Sequence, residues 1–317
     1  MFKKLIAALL SAAVVLAFTA CGSRQNSSGE EDGKVKVSVS FNALYEFVAA
    51  IGGDQVTVSV IIPDGTEPHD FEPKANDLAA LSDADIFVMN GLGMEPWAAE
   101  TIDASKNTGL VVVDASAGVE TIPIEDAQED ALTEEHEGED DEAHQHEHGA
   151  FDPHIWLSPR CAVTMAGNIK DALTKADPGN STYYETNYTT FSDELEGLYS
   201  EFSDKFKTAE NKSFVTGHAA FAYLCRDFGL LQNSVADVFA EGEPSAQQLA
   251  ALVDYCRAHQ VTTIFSEALV STAVSVTLAS EVGAEVKAIY TMASTENGKS
   301  YLERMERNLN VIYESLK

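Results

Sequence analysis

Short runs of β-branched residues alternate with helix-like runs from Val35 onward, and this alternation constrains the fold more than any other feature of the chain. It is typical of parallel sheets covered by helices, because neighbouring parallel strands need a crossover that a helix usually supplies. We therefore predict an α/β fold with mainly parallel sheets. The predicted strands are Val35–Ser40, Val56–Ile62, Asp85–Met89, Leu110–Val113, Ser213–Thr216, Thr263–Phe265 and Val286–Ile289.

The stretch between the two groups of strands carries a different pattern. From Pro178 to Ala209, apolar and aromatic residues recur at intervals of 3 and 4 residues, which is the period of one helix face. A helix over this range would be about 45 Å long at roughly 1.5 Å per residue. We predict one long, rigid backbone helix that joins two α/β lobes. A core helix inside one larger domain is the alternative. The predicted face consists of Tyr184, Tyr188, Phe191, Leu195, Leu198, Phe202 and Phe206.

The chain is strongly acidic. Its 20 Lys and Arg and 51 Asp and Glu give a formal net charge of −31 over 317 residues. Phosphate backbones repel such a polyanion, so nucleic acid is not an expected partner. The hydrophobic fraction of 45% is that of a globular protein. A chain of this length exceeds what one small core usually organises, which also favours two lobes.

The N-terminus has the pattern of a targeting segment. Two lysines precede an apolar run from Leu5 to Phe18, and Cys21 follows two small residues. This resembles a bacterial lipoprotein signal peptide over residues 1–20, with lipid attached to Cys21. A membrane-spanning helix is the alternative, but the run is shorter than the roughly 20 residues that span a bilayer. We expect an extracytoplasmic protein, lipid-anchored to the bacterial cell membrane.

Residues 121–149 hold twelve Asp or Glu, four His and no Lys or Arg. Such a segment cannot bury a core, so we expect a mobile loop. Its histidines and carboxylates would raise the local metal concentration near a binding cleft, and we interpret the loop as a low-affinity metal collector. A solvated insertion is the alternative, because long surface loops cost little free energy. The loop histidines are His136, His144, His146 and His148.

Cys161, Cys225 and Cys256 remain if Cys21 carries lipid, so at most one disulfide can form among them. The sequence leaves open whether Cys225 and Cys256 pair. None of the cysteines has the Cys-x-x-Cys spacing of a zinc or redox site, and we expect buried thiols on helices.

Three of the eight histidines lie in distinctive contexts. His69 lies in a turn-rich loop after the strand that ends at Ile62. His154 follows the acidic loop and precedes a helix. His218 closes a strand and opens a helix predicted to start near Ala219. At least two of the three therefore lie beyond the C-terminal ends of strands, where open α/β sheets form ligand crevices.

Three imidazoles that converge from two lobes would suit Zn²⁺. Neutral nitrogen donors match this ion, and three of them leave one position for a carboxylate or water. A single loop histidine is more often hydrogen-bonded than metal-bound, so spacing alone does not establish the site.

Several motifs closely resemble the zinc and manganese substrate-binding proteins of ABC transporters, the cluster A-I solute-binding lipoproteins. The resemblance covers about residues 34–317, with the motifs in the same order. The motifs are Glu67–Pro73 (EPHDFEP), Asn90–Trp97 (NGLGMEPW), Asp152–Pro159 (DPHIWLSP), Gly217–Leu224 (GHAAFAYL) and Glu243–Ser245 (EPS).

The resemblance implies two α/β lobes joined by one long helix, with metal bound between the lobes and delivered to an ABC permease membrane subunit. It places metal ligands at His69, His154 and His218. Zinc members tend to have a third His where manganese members have Glu, so we expect Zn²⁺ rather than Mn²⁺. The chemistry agrees, since imidazole suits Zn²⁺ and carboxylates suit Mn²⁺. The acidic His-rich loop is likewise a feature of the zinc branch.

The fourth ligand departs from the family pattern, which commonly supplies an Asp or Glu after the last strand. Here that stretch, Ile289–Ser294, contains no carboxylate. The candidates are water, Glu296 and Glu267, of which we prefer water. The thioether of Met292 is too soft to be an expected Zn²⁺ ligand.

Other functions remain as alternatives. A manganese-specific protein of the same family is the nearest. A three-His zinc hydrolase would need a general base and a substrate pocket, and the chain has no His-Glu-x-x-His or Gly-x-Ser-x-Gly motif. Lipid-anchored proteins of this kind are often named as adhesins, but this sequence has no repeat or stalk that would indicate a role in cell adhesion. We expect a monomer that is not an enzyme. The predicted organisation is a signal peptide (1–20), a tether (21–34), an N-terminal lobe (35–158), a helical connection (159–209) and a C-terminal lobe (210–317).

Overall fold

The computed structural model describes residues 33–127, 149–240, 244–268 and 272–317. The predicted signal peptide, the lipidation site Cys21 and the four loop histidines lie outside these ranges. Residues Val35–Lys317 form one compact unit. All of the elements described below belong to that compact unit.

The first half of the unit is an α/β lobe with four parallel strands in the order β2-β1-β3-β4. The two inner strands, β1 and β3, are the most buried, as is usual for a parallel sheet with helices on its faces. All four predicted strands are present, and their ends differ from the predicted ones by one or two residues. The elements are β1 (Val35–Val39), α1 (Asn42–Gly52), β2 (Val56–Val60), α2 (Ala75–Ser82), β3 (Ile86–Met89), α3 (Ala98–Ser105), β4 (Val111–Asp114) and the short α4 (Ile124–Ala127).

The second half repeats this plan with a parallel sheet in the order β6-β5-β7-β8. Its elements are β5 (Ser213–His218), α7 (Ala222–Phe228), β6 (Leu231–Ala236), α8 (Ala246–Ala258), β7 (Thr263–Ser266), α9 (Thr272–Val282), β8 (Glu285–Ala288) and α10 (Tyr301–Ser315). Strand β6 was not predicted, because half of its sequence LQNSVA is polar. It lies at the sheet edge, and only Asn233 of its residues is buried.

Two long helices, α5 (Pro159–Ala176) and α6 (Ser181–Thr208), lie between the lobes in sequence and pack against each other. The predicted backbone helix corresponds to a 3₁₀ turn at Pro178–Asn180 followed by α6, whose 28 residues span about 42 Å. Five of the seven residues of the predicted face are buried, and the other two are partly buried. One hydrophobic cluster runs from the N-terminal lobe through these helices to Phe214 and Phe265 in the C-terminal lobe. The prediction of two parallel-sheet lobes joined by a long helix is confirmed.

The chain around His218 differs from the prediction. The helix was expected near Ala219 but begins at Ala222. The reason is that β5 continues through Gly217 and His218, where His218 still pairs with Ala236 of β6. His218 is therefore held on a strand end rather than at a helix start.

A segment of the C-terminal lobe crosses to the N-terminal lobe. We call residues 289–300, between β8 and α10, the strap. In the strap, Ser294 Oγ and Thr295 N each donate to Asp64 Oδ1 at 2.5 Å, and Asn42 N donates to Ala293 O at 3.4 Å. The strap thus ties the loop that carries His69 to the opposite lobe.

Arg304 of α10 is fully buried beneath the strap. Its guanidinium donates to Ser294 O at 2.7 Å, to Glu296 at 3.3 Å, and to Glu46 of α1. One buried cation therefore neutralises carboxylates that come from both lobes, which couples the lobes beneath the strap.

The three cysteines in the described part of the chain are buried on helices, and none forms a disulfide. The expectation of buried helical thiols is confirmed for these three. Within the described ranges, no helix is both long enough and apolar enough to cross a membrane. The predicted lobe boundaries at 158, 209 and 210 stay a prediction.

Candidate metal centre

The three predicted histidines lie together between the lobes. His69 is in a 3₁₀ helix (Pro68–Asp70), His154 directly precedes another (Ile155–Leu157), and His218 ends β5. The ring centroid of His154 is 5.1 Å from that of His69 and 5.3 Å from that of His218. The His154 ring is therefore adjacent to both other rings, and both His154 and His218 are buried.

The closest approach joins two ring nitrogens. His69 Nε2 is 3.1 Å from His154 Nε2. Two nitrogen ligands on a tetrahedral Zn²⁺, each about 2.0 Å from the ion, would be about 3.3 Å apart. The observed separation is thus close to the spacing that a shared Zn²⁺ requires. In their present side-chain conformations, no three or more His, Cys, Asp or Glu residues within the described ranges have the geometry of a complete metal site.

A repeated local motif presents the two histidines of the N-terminal lobe. Each follows an acid-Pro pair, Glu67-Pro68 and Asp152-Pro153. A residue before proline is pushed into the extended region, and Glu67 has φ −70° and ψ 123°. The backbone N–H of His154 donates to Asp152 Oδ1 at 2.8 Å, and the backbone N–H of His69 likewise donates to the Glu67 carboxylate. This repeat is visible in the sequence but was not among the predicted features of the site.

Asp152 also fixes the ring of His154. Its Oδ1 atom lies 2.8 Å from His154 Nδ1, and we assign the ring proton to Nδ1, which leaves the lone pair on Nε2. Burial, together with the nearby His218, holds the pKa of His154 well below its ordinary value of 6.5. His154 is therefore neutral at pH 7, with Nε2 directed at His69 and available to a metal.

The motif NGLGMEPW forms a loop that packs beside His154 and helps to position it. Glu95 is buried, and its carboxylate accepts the backbone N–H groups of Asn90 at 2.8 Å and Gly91 at 3.1 Å. Burial raises the pKa of Glu95 to about 7. The loop held in this way lets the Asn90 side chain donate to Pro153 O at 2.9 Å, next to His154. The motif therefore positions a neighbouring loop rather than contributing a metal donor.

Carboxylates surround His218. Burial alone would lower its pKa, but the adjacent Glu267 carboxylate, with the charges of Glu67 and Asp152, raises it above 6.5. Burial raises the pKa of Glu67. The charge of His218 lowers this pKa, and the charge of Glu267 raises it. Glu67 is half-buried and was not among the predicted site residues.

The two carboxylates predicted as candidate fourth ligands are both buried. Glu267 follows β7 directly, and its Oε1 atom is 3.5 Å from His218 Nδ1. Glu296 lies in the strap and accepts the Met292 N–H at 3.0 Å. Burial raises the pKa of Glu296 to about 7, and the charge of Glu267 contributes to this shift.

Comparison with known proteins identifies the family. The profile of the family described as "Zinc-uptake complex component A periplasmic" (ZnuA) matches residues 37–315. The chain belongs to the ZnuA family. Two relatives align over nearly their whole length. A Treponema pallidum protein named for metal binding is 44% identical over 95% of this chain and 93% of its own. The Bacillus subtilis high-affinity zinc uptake system protein ZnuA is 36% identical over 100% and 99%.

Solved structures of ZnuA-like proteins share the fold. A Zn(II)-bound mutant variant of Streptococcus pneumoniae AdcAII is 34% identical, with a TM-score of 0.77 over 90% of this chain and 99% of its own. The laminin-binding protein Lbp of Streptococcus pyogenes is 32% identical, with a TM-score of 0.76 over 90% and 99%. The adhesion label predicted for the family thus occurs among its structural neighbours. The relatives are metal-binding transport proteins, not enzymes, so the comparisons favour a binding protein over the zinc hydrolase alternative.

Proposed function

We propose that this ZnuA-family protein binds Zn²⁺ outside the cytoplasm and delivers it to the membrane subunit of an ABC permease. The observation that carries the proposal is the 3.1 Å separation of His69 Nε2 and His154 Nε2, with the His218 ring beside them. The family membership supports the transport role. Lipid on Cys21 would hold the protein at the cell membrane as a monomer, near its permease.

The donor set favours Zn²⁺ over Mn²⁺. His69, His154 and His218 supply neutral nitrogen donors, which suit Zn²⁺, whereas Mn²⁺ prefers carboxylate oxygens. A tetrahedral ion bound by these three nitrogens has one position left for water or a carboxylate. Water, Glu296 and Glu267 are the candidates for that position. Zn²⁺ is the cargo here, so this last position also offers the permease a place to begin ligand exchange.

A metal competition experiment tests the proposal. Metal-free protein, titrated with Zn²⁺ against a chelator of known affinity, should bind one ion tightly and bind Mn²⁺ much more weakly. The affinity for Zn²⁺ should fall as the pH is lowered, because a metal displaces protons from its imidazoles. The fall should begin above pH 6.5, since the pKa of His218 is raised above that value. Tighter binding of Mn²⁺ than of Zn²⁺ would contradict the proposal.

The acidic loop is proposed to collect metal for this site. Its two ends meet in a short antiparallel ladder, in which Asp152 N donates to Ile122 O at 2.9 Å and Ile124 N to Ala150 O at 3.2 Å. Tyr223 braces the ladder, since its hydroxyl donates to Asp152 O and accepts from Ile122 N. The ladder therefore anchors the loop two residues from His154.

Replacing residues 126–148 by Asn-Gly should remove weak metal binding and leave one tight site. The ladder allows this change because Asn-Gly closes a two-residue hairpin turn. A segment of this composition has no core to hold its donors in place, so its sites should be weak. Titration calorimetry should record fewer weak binding events and an unchanged tight one, with a transport defect only when zinc is scarce. Loss of the tight site would contradict this division of roles.

A further inference from the structure

Glu267 lies where the two central strands of the C-terminal sheet end. It directly follows β7, which pairs with β5 through Val215 and Ile264. His218 is the last residue of β5. The Glu267 side chain has no exposed surface, and that of His218 is 3% exposed. A carboxylate with no solvent contact therefore lies beside a buried imidazole.

The Glu267 carboxylate engages both the backbone and the ring at this strand end. Oε1 accepts the backbone N–H of Gly217 at 3.2 Å and that of His218 at 3.3 Å. The same atom is 3.5 Å from His218 Nδ1, at the outer limit of a hydrogen bond. Neither His218 Nδ1 nor Glu267 Oε2 has a well-formed hydrogen bond within the described ranges. A small movement of the ring would bring His218 Nδ1 within hydrogen-bond distance of Glu267 Oε1 and satisfy the ring nitrogen.

Gly217 makes this approach possible. A Cβ atom built on Gly217 would overlap Glu267 Oε2. Any residue with a side chain at 217 would therefore displace the carboxylate from the strand end. The Gly-His sequence at the end of β5 and the glutamate at the end of β7 form one packed unit.

The arrangement matches the one at His154. There, Asp152 Oδ1 accepts the backbone N–H of the histidine and lies 2.8 Å from its Nδ1 atom. In both cases a buried carboxylate caps the backbone and faces Nδ1, which leaves Nε2 as the metal donor. A carboxylate on the Nδ1 side of the ring is on the side away from an ion held by Nε2.

We propose that Glu267 is a positioning residue that fixes the ring and proton of His218, and that it is not the fourth metal ligand. This inference rests on the proposed function, because it assigns His218 Nε2 to the bound Zn²⁺. It also leaves water and Glu296 as the candidates for the fourth position.

A double-mutant cycle tests the proposal. Glu267→Ala should weaken Zn²⁺ binding by about 10- to 100-fold in the otherwise unchanged protein, as is usual for partners of ligating histidines. In a His218→Ala background, the same change should cost almost nothing, because Glu267 acts through His218. An equal loss in both backgrounds would overturn the proposal, since it would mean that Glu267 binds the metal or acts independently of His218.

Two further measurements separate positioning from general support of the fold. Glu267→Gln retains an acceptor for the two backbone N–H groups but loses the charge, so binding should fall less than with Glu267→Ala. The visible spectrum of the Co²⁺-loaded protein should change in both variants, because the His218 donor moves. Lower apo stability with an unchanged Co²⁺ spectrum would contradict positioning. Glu306→Gln, an exposed carboxylate change in the same lobe, is the matched control.

The two hypotheses fail in different ways. If His218→Ala alone leaves Zn²⁺ affinity unchanged, the proposed ligand set is wrong, whatever Glu267 does. If His218→Ala weakens binding but the effect of Glu267→Ala adds to it in full, the ligand set stands and the positioning role is wrong.

Discussion

Replacing His154 with alanine should weaken Zn²⁺ binding by about two to three orders of magnitude. Zinc sites with four ligands contribute roughly 10–16 kcal/mol, so one ligand accounts for about 2.5–4 kcal/mol. We expect the largest single effect at His154, because its ring is adjacent to those of both His69 and His218. Competition against a chelator measures the change directly.

The control for this variant is His259→Ala. His259 is exposed and stacks on Tyr255, with ring centroids 4.2 Å apart, and it belongs to no part of the three-histidine cluster. Its removal should leave Zn²⁺ affinity unchanged. The far-UV circular dichroism of apo His154→Ala should match that of the parent protein, since Asp152 still caps the backbone. Unchanged tight binding of one Zn²⁺ by His154→Ala would rule this residue out as a ligand.

Replacing Arg304 with methionine should lower the free energy of unfolding by about 3–5 kcal/mol. Methionine fills a similar volume but leaves the carboxylates of Glu46 and Glu296 without their cation. Side chains of these two glutamates are only 19% and 6% exposed, so water cannot fully replace the guanidinium. Chemical denaturation of the apo protein measures the loss.

Arg257→Met is the matched control for charge. Arg257 pairs with Glu281 at 3.0 Å, but the side chains are 55% and 62% exposed. Breaking such a surface pair should cost no more than about 1 kcal/mol. Adding Glu46→Gln to Arg304→Met should recover part of the lost stability, because one unpaired charge is removed. Equal effects of the two arginine changes would contradict a structural role for the buried cation.

The strands and the long helix were predictable because their patterns are local. Alternating β-branched runs identified seven strands, and a 3–4 residue period identified α6. Strand β6 lacked such a pattern, because an edge strand buries little and its residues can be polar. The extension of β5 through His218 depends on pairing with β6, so missing that strand also shifted the predicted start of α7.

The candidate ligands were predictable from their motifs, but their supporting residues were only partly so. His69 and His154 are 85 residues apart in sequence, and only the resemblance of their motifs to a known family predicted that they share one site. The acid-Pro-His repeat could have identified Asp152 and Glu67 as partners of the histidines that follow them. Nothing local predicts which ring Glu267 faces, since that depends on the adjacency of β5 and β7. The contact of Asp64 with Ser294 spans 230 residues and has no local signal at all.

The strap and the backbone helix connect the two lobes at two separate places, one on each side of the cleft. In a receptor with a single hinge, the two lobes can rotate apart about that hinge. Two lobes that are linked at two places cannot separate unless the contacts at one of the two links break. Here the weaker side is the strap, where hydrogen bonds link Asp64 and Asn42 to residues 293–295. Each such bond contributes only about 1 kcal/mol net. If these hydrogen bonds break, we expect the loop of His69 to move while His154 and His218 stay in place. The bound metal would then leave through a local opening beside the loop of His69.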